Sequence, residues 1–255
     1  MLVGTASVEQ LLRSQATATI AQFAHEPIRF DDVACFQMTA EMRNRAREAI
    51  LPASLHPTVP AALSLQLWSV GGSPWGAFRM AIVRAACRSG VRARSFTLAA
   101  FASNETACDA LRTQFGFPAK VAAVHMRHGY DGVDASVAVD DRAVVAVRAN
   151  DPEPMSLDDV QYTGTLNLAH TPNGLRLVQL EANHVATRIE RLTANLTTFD
   201  AVACGSALLD PYLIVSSSLA LETVTFPPIR FVCKVDELAF TGTEAVAVRP
   251  HAADG

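Results

Sequence analysis

Leu63-Ser64-Leu65-Gln66-Leu67-Trp68 repeats with a period of two, leucine at every odd position and Ser, Gln and Trp between. Successive side chains of a strand point to opposite faces, so this stretch predicts a β-strand. Gly71-Gly72-Ser73-Pro74 then supplies a turn. Outward from there, Trp75–Ala86 and Arg94–Phe101 read as further strands, with Ser89-Gly90 between them. Asn104 is a good N-cap for a short helix through Glu105 to Gln114. Pro118–Arg127 is strand-like, and Val133–Val139 and Ala143–Arg148 form a hairpin across Asp140-Asp141. Asp151–Pro154 interrupts the pattern. Val160–Ala169 and Leu175–Asn183 then flank Asn173-Gly174, a strong hairpin signal. Strands follow at Arg188–Thr198, Tyr212–Thr225 and Ile229–Val235. Upstream, Val8, Leu11, Leu12, Ile20 and Phe23 predict an amphipathic helix over Ser7–Phe23. Asp32–Met38 reads as a short strand, and Thr39 caps a helix over Ala40–Ile50 that Pro52 ends.

Many consecutive strands, short turns and a few helices predict an α+β, β-rich fold built as an antiparallel barrel or sandwich. No linker or repeat divides the chain. Residues 1–235 therefore read as one domain, and 236–255 as a loosely ordered tail.

Composition excludes several classes of function. Of 255 residues, 50% are hydrophobic and 18% charged, which fits a well-packed globular protein and not a disordered one. A net charge of -4 without a basic block argues against nucleic acid as the partner. No apolar run is long enough to cross a membrane and no export signal is evident, so the expected compartment is the cytoplasm. Cys35, Cys87, Cys108, Cys204 and Cys233 are odd in number and widely spaced, which predicts buried free thiols, not disulfides or a metal site. No cofactor is implied. Lysine is nearly absent: Lys120 and Lys234 are the only two, so chemistry that needs an amine side chain must use one of them.

Three stretches carry a family resemblance. Ile50-Leu51-Pro52-Ala53-Ser54-Leu55 is similar to the leucine-proline motif that follows the first helix of the acetoacetate decarboxylase family. Asn104 to Lys120, ending Phe115-Gly116-Phe117-Pro118-Ala119-Lys120, resembles that family's Gly-Arg-Glu and aromatic-Pro-Lys segment. Ile214-Val215-Ser216-Ser217-Ser218 with Phe226-Pro227 resembles its last strands. The likeness covers roughly Phe30 to Val235. It implies a cone-like β-barrel around an apolar pocket, in a homo-oligomer. In that family a pocket lysine attacks a ketone and the iminium draws electrons as carbon dioxide leaves. The amine must be neutral, and these enzymes are a standard example of a lysine pKa depressed for that purpose.

The residues that would do this are replaced. By the resemblance, the Schiff-base lysine falls on Ala119, the pocket glutamate near Ala77, the pocket arginine near Val33 and a second acid near Gln66. Arg112 is retained, but the glutamate after it is Thr113. Trp75, Phe78 and Phe117 are expected at the pocket. If Ala119 faces inward, strand alternation turns Lys120 outward unless a bulge intervenes. His125 and His128 read as a surface hairpin. His170 and His184 are candidate general bases or hydrogen-bonded structural residues, and Asp31-Asp32 and Asp158-Asp159 read as solvated pairs.

Three functions compete. The first is a cyclase, dehydratase or isomerase that acts without a covalent intermediate on a hydrophobic, carbonyl-rich, polyketide-like molecule of secondary metabolism, with Arg112 positioning the substrate. The second keeps amine chemistry through Lys120, as a decarboxylase or aldolase-dehydratase. The third is a binding protein that holds a hydrophobic ligand without turning it over.

Overall fold

The computed structural model describes residues 2–246. Sixteen strands form one large sheet. In chain order they are β1 (Ala18–Thr19), β2 (Ile28–Met42), β3 (His56–Pro57), β4 (Ala62–Gly72), β5 (Phe78–Ser89), β6 (Arg92–Ala102), β7 (Ala119–Val121) and β8 (Ala123–Gly129). Then come β9 (Gly132–Val139), β10 (Arg142–Pro154), β11 (Gly164–Thr171), β12 (Gly174–Leu180), β13 (Asn183–Phe199), β14 (Pro211–Phe226), β15 (Phe231–Lys234) and β16 (Thr243–Ala245). Three α-helices join them: α1 (Val8–Ser14), α2 (Glu105–Phe115) and α3 (Ala239–Gly242). The main path runs β16-β15-β12-β11-β6-β5-β4-β2-β14-β13-β10-β9-β8. Among the described residues its two ends are not hydrogen-bonded to each other, so in place of the expected barrel stands an open sheet. Most pairs are antiparallel; β1 with β11, β11 with β6 and β6 with β7 are parallel.

The middle of this sheet is dry on both faces. Leu63, Leu65 and Leu67 of β4 lie in one apolar cluster with Phe36, Met38, Val83, Phe96 and Phe101, against Val133, Val137 and Val145 of the β8–β10 arm. The opposite face carries a second cluster, in which Trp68 meets Phe30, Trp75, Phe78, Phe115, Phe117 and Phe226. The aromatic pairs there are mainly edge-to-face, as the ring quadrupoles prefer. In a sheet covered on both sides, the even-numbered residues of β4 also point into the interior, so Ser64 and Gln66 are buried.

Helix α2 fixes how the chain enters the second face. The Asn104 side chain accepts from the Ala107 N–H at 2.7 Å, which starts the helix. Gly116 ends it with φ 73°, and a Cβ there would come within 2.9 Å of the Ala169 Cβ. Only glycine suits both the left-handed turn and the close approach. Past this turn Phe117 and Ala119 run inward and β7 pairs with β6. Asn167 of β11 locks the junction. Its side chain donates to the Phe115 carbonyl at 2.9 Å and accepts from the Thr97 hydroxyl at 2.6 Å.

Several readings of the sequence are corrected. The helix expected over Ala40–Ile50 is absent: residues through Met42 continue β2, and Asn44–Ala46 is a single 3-10 turn. β2 is paired on both sides, with β14 and β4, and that pairing overrides helix propensity. The N-terminal helix stops at Ser14, and Ala18–Thr19 pairs with β11 instead. Asp151–Pro154 belongs to β10, with a register shift after Asn150 and Asp151 at φ 56°. In the tail, Ala239–Gly242 and Thr243–Ala245 are ordered as helix and strand, the strand pairing with β15; residues 247–255 lie outside the described residues. The five cysteines are free and buried, as expected. No helix among the described residues is long and apolar enough to cross a membrane.

Asn167→Ala leaves the Thr97 hydroxyl and the Phe115 carbonyl without their partner in a dry interior. It should lower stability by about 2 kcal/mol in urea unfolding. An unchanged midpoint would mean that this junction does not hold α2 in place.

Candidate active site

On the second face, between β4, β5 and the start of β11, lies a cavity of about 170 Å³. Its apolar wall is the near edge of the aromatic cluster, formed by Trp68, Ile82, Phe117, Leu180 and Phe226. Its polar wall holds Gln66, Arg84, Arg94, Tyr162, Thr165, Glu181 and His184. Strand register assembles these groups. Ser64 pairs with Arg84 and Gln66 with Ile82 across β4 and β5, so polar and apolar positions interleave on one face.

Arg84 is the dominant charge. It is only 3% exposed, yet among the described residues no carboxylate pairs with it. One Nη donates to the Thr165 hydroxyl at 3.0 Å and to the Thr163 carbonyl at 3.5 Å, and the other to the Ser64 hydroxyl at 3.4 Å. Its Nε has no hydrogen-bond partner. Burial pulls its pKa down to about 10. A cation in so dry a place can stabilise negative charge in the cavity.

A carboxylate network stands in the same site. Glu222, on β14, has a fully buried side chain. Its Oε2 accepts from the Tyr162 hydroxyl at 2.8 Å, and its Oε1 lies 3.1 Å from Nδ1 of His184 on β13. An ionised carboxylate only accepts, so this contact places the ring proton on Nδ1 and leaves Nε2 as the basic nitrogen. Tyr162 stacks on the imidazole with centroids 3.6 Å apart, and Trp68 meets it edge-on at 5.8 Å. The imidazole is thus fixed in tautomer and in plane. Burial, then the Glu222 charge and hydrogen bond, push the Tyr162 phenol far above its ordinary range, so Tyr162 stays a donor. Cys35 feels both charges. Burial first, then Glu222, raise its thiol well above the usual value, while Arg84 opposes that rise. It is a neutral thiol, not a nucleophile.

The residues expected at the pocket from the sequence separate into groups. Gln66 and Phe117 line the cavity, and Gln66 donates to Gln37 at 2.6 Å. Val33, Trp75, Phe78 and Ala119 are buried in the apolar cluster behind it and do not line it. Ala77 is exposed on the turn before β5. Arg112 clamps α2 to its surroundings, donating to the Ala119 carbonyl at 2.9 Å and the Ala16 carbonyl at 3.3 Å, away from the cavity. Ala119 is 1% exposed while Lys120 is exposed, as the alternation predicts. Lys234 is bound to Glu237 at 2.7 Å outside the cavity. His125 and His128 are exposed on β8. Arg84, Tyr162 and Glu222 were not singled out from the sequence. The available signal for Arg84 was one arginine within the apolar run Met80–Ala86. The signal for Glu222 was one acid within Leu219–Val224. Among the described residues no group of three or more His, Cys, Asp or Glu side chains could hold a metal ion.

Burial holds the Arg84 pKa below its ordinary value in the fold, so the unfolded chain holds the proton more firmly. The contribution of this group to stability therefore rises as pH climbs above about 10, and at neutral pH its buried charge opposes folding. Arg84→Met should raise stability at pH 7 by on the order of 2 kcal/mol in urea unfolding. A loss of stability instead would make Arg84 a structural residue.

The acetoacetate decarboxylase family profile matches residues 14–235. No curated protein matches the chain by sequence. Among solved structures, the fold is similar to acetoacetate decarboxylase from Legionella pneumophila subsp. pneumophila str. Philadelphia 1, with TM-score 0.69 and 17% identity over 89% of this chain and 90% of that one. An acetoacetate decarboxylase-like enzyme from Sphingomonas wittichii RW1 matches with TM-score 0.63 and 13% identity over 81% of this chain and 93% of that one. The enduracididine biosynthesis enzyme MppR, complexed with the condensation product of pyruvate and imidazole 4-carboxaldehyde, matches with TM-score 0.62 and 18% identity over 80% and 88%. At these identities the likeness concerns the fold alone. The length of the profile match, joined to this sheet, leads to one conclusion: the chain belongs to the acetoacetate decarboxylase family.

Proposed function

We propose that this protein is a non-covalent enzyme of carbonyl chemistry, a cyclase, dehydratase or isomerase that works by enolisation. The observation that carries this reading is the exchange of charges in the cavity. Neither lysine reaches it, while a buried arginine and a carboxylate-oriented histidine line it.

The chemistry follows from those groups. A ketone in the cavity would place its oxygen toward the Arg84 guanidinium, which lines it. Nε2 of His184 removes the proton from the carbon next to the carbonyl. The electron pair of that C–H bond becomes the enolate double bond, and the carbonyl π pair moves onto oxygen. Arg84 stabilises the resulting negative charge in a dry site, where it is worth most. Glu222 stabilises the imidazolium that forms and keeps it in plane. From the enolate, return of the proton from the imidazolium to another carbon gives isomerisation, its transfer to a β-hydroxyl that leaves as water gives dehydration, and attack on a second carbonyl of the same molecule, whose oxygen then takes that proton, gives cyclisation. MppR, held with a condensation product of pyruvate, supports carbonyl chemistry on this fold, and its part in enduracididine biosynthesis supports a biosynthetic role.

Size refines the substrate. A cavity of about 170 Å³ takes a group of a few carbons, not a whole polyketide-like molecule. The reacting carbonyl and its neighbours would occupy it.

Transfer of deuterium from D2O into the α-positions of 2-butanone, followed by NMR, tests the proposal. The wild-type protein should catalyse exchange, and His184→Ala should slow it by about two orders of magnitude or more. Glu222→Gln should slow it less, by loosening the imidazole. Exchange at the wild-type rate in His184→Ala would remove His184 from the mechanism.

A further inference from the structure

Part of the cavity wall lies outside the sheet. Tyr162 and Thr163 line the cavity, and they end the stretch 155–163 that joins β10 to β11. Its two ends are fixed, by the pairing of Pro154 with Glu190 before it and of Gly164 with Arg94 after it. Between them only Leu157–Asp159 is regular, as a single 3-10 turn, and no residue of the stretch is buried. Yet it lies over two of the driest groups of the site, for the His184 side chain is 8% exposed and that of Glu222 0%. The Met155 N–H donates to the Ile189 carbonyl at 3.0 Å. The other ties to the body run through side chains. Tyr162 stacks on His184 and donates to Glu222. The Thr163 hydroxyl lies 2.7 Å from that of Ser95, and the Gln161 carbonyl accepts from Gln37 at 3.4 Å. A segment with fixed ends, no buried side chain and ties of this kind can open locally while the ladders around it stay intact.

We propose that residues 155–163 form a strap that lifts to admit the substrate, with Tyr162 as its latch. The rest of the cavity wall has less freedom. Gln66, Trp68, Ile82, Arg84 and Thr165 sit on strands paired on both sides, and Phe117, Glu181 and Ala182 lie in short connections between paired elements. Tyr162 engages both members of the His184–Glu222 pair at once, through its ring and its hydroxyl. Lifting the strap therefore frees the imidazole, and the base is held in plane only while the strap is down. The inference rests on the enolisation reading for the role of that base; the path of entry is independent of it.

Entry is measured by dynamic quenching of Trp68, which lines the cavity, with acrylamide, a small neutral amide. Trp75→Phe leaves Trp68 as the one tryptophan of the chain. In that background Ser95→Cys with Thr163→Cys ties the strap to β6, since hydroxyls 2.7 Å apart put the two side chains within reach of a disulfide. The oxidised protein should be quenched about tenfold more slowly than the same protein in dithiothreitol. Tyr162→Phe, which keeps the stacked ring and loses the bond to Glu222, should speed quenching by about tenfold, the share of one hydrogen bond to a charged group in holding the strap down. This variant decides the matter even if the cysteine pair does not fold or does not close. Equal quenching of the oxidised and reduced forms, or wild-type quenching in Tyr162→Phe, would overturn the proposal and place the entrance elsewhere. Quenching needs no turnover, so the two readings fail separately. Quenching that follows the strap without deuterium exchange defeats the enolisation reading alone, and exchange with quenching indifferent to the strap defeats the strap alone.

Discussion

The constraint on which the molecule depends is that the centre of its sheet is covered on both faces. In a sheet with one wet side, every second residue of β4 and β5 would meet water, and Ser64, Gln66 and Arg84 would be ordinary surface residues. Here the β8–β10 arm covers one face and α2 with the ends of β2 and β14 covers the other. Each alternating position must then pack or find partners in a dry space. The leucines pack. The polar set cannot, so it gathers around the cavity, where hydroxyls and one another's side chains satisfy most of its hydrogen bonds. The cavity is thus largely a consequence of the strand pattern, completed by Tyr162 and Thr163 from the segment that leads into β11.

That arrangement changes what the family's pocket can do. A buried neutral amine is a nucleophile, whereas a buried guanidinium holds its proton and offers a fixed fork of donors. On the reading proposed above, Arg84 inside and both lysines outside make the site one for holding an oxygen that gains charge, in place of one for attack on a carbonyl. On the same reading His184, held by Glu222 and stacked on Tyr162, is the matching base. The energetic cost is concentrated at Arg84, whose unpaired charge opposes folding at neutral pH. Such a cost is commonly met at functional sites and is hard to explain as structural support.

Much of the fold is legible in the sequence, because alternation and turn residues act locally. The β4 pattern, the Asn104 cap and the Asn173-Gly174 hairpin each report a structure that neighbouring residues decide. Ala40–Ile50 misleads because its helix-forming residues are claimed by β2, whose partners β4 and β14 are distant in sequence. The candidate site is legible only in part. The segment Phe115–Lys120 places Phe117 at the cavity and turns Lys120 away from it, and the β4 strand gives Gln66. Ala77 misses because β5 begins one residue later and leaves it on the turn. In a chain with 19 arginines, Arg84 carries no mark of its own until the register shows which face it occupies. Glu222 and His184 stand 38 residues apart and meet only because β13 and β14 form a long antiparallel pair.

The most direct test of a non-covalent mechanism is borohydride reduction in the presence of acetoacetate or pyruvate, followed by mass spectrometry of the intact protein and its peptides. A non-covalent site predicts an unchanged mass with either compound. A reduced adduct on the peptide that carries Lys120 or Lys234 would show that an amine reaches the carbonyl, and would contradict the mechanism assigned to Arg84 and His184.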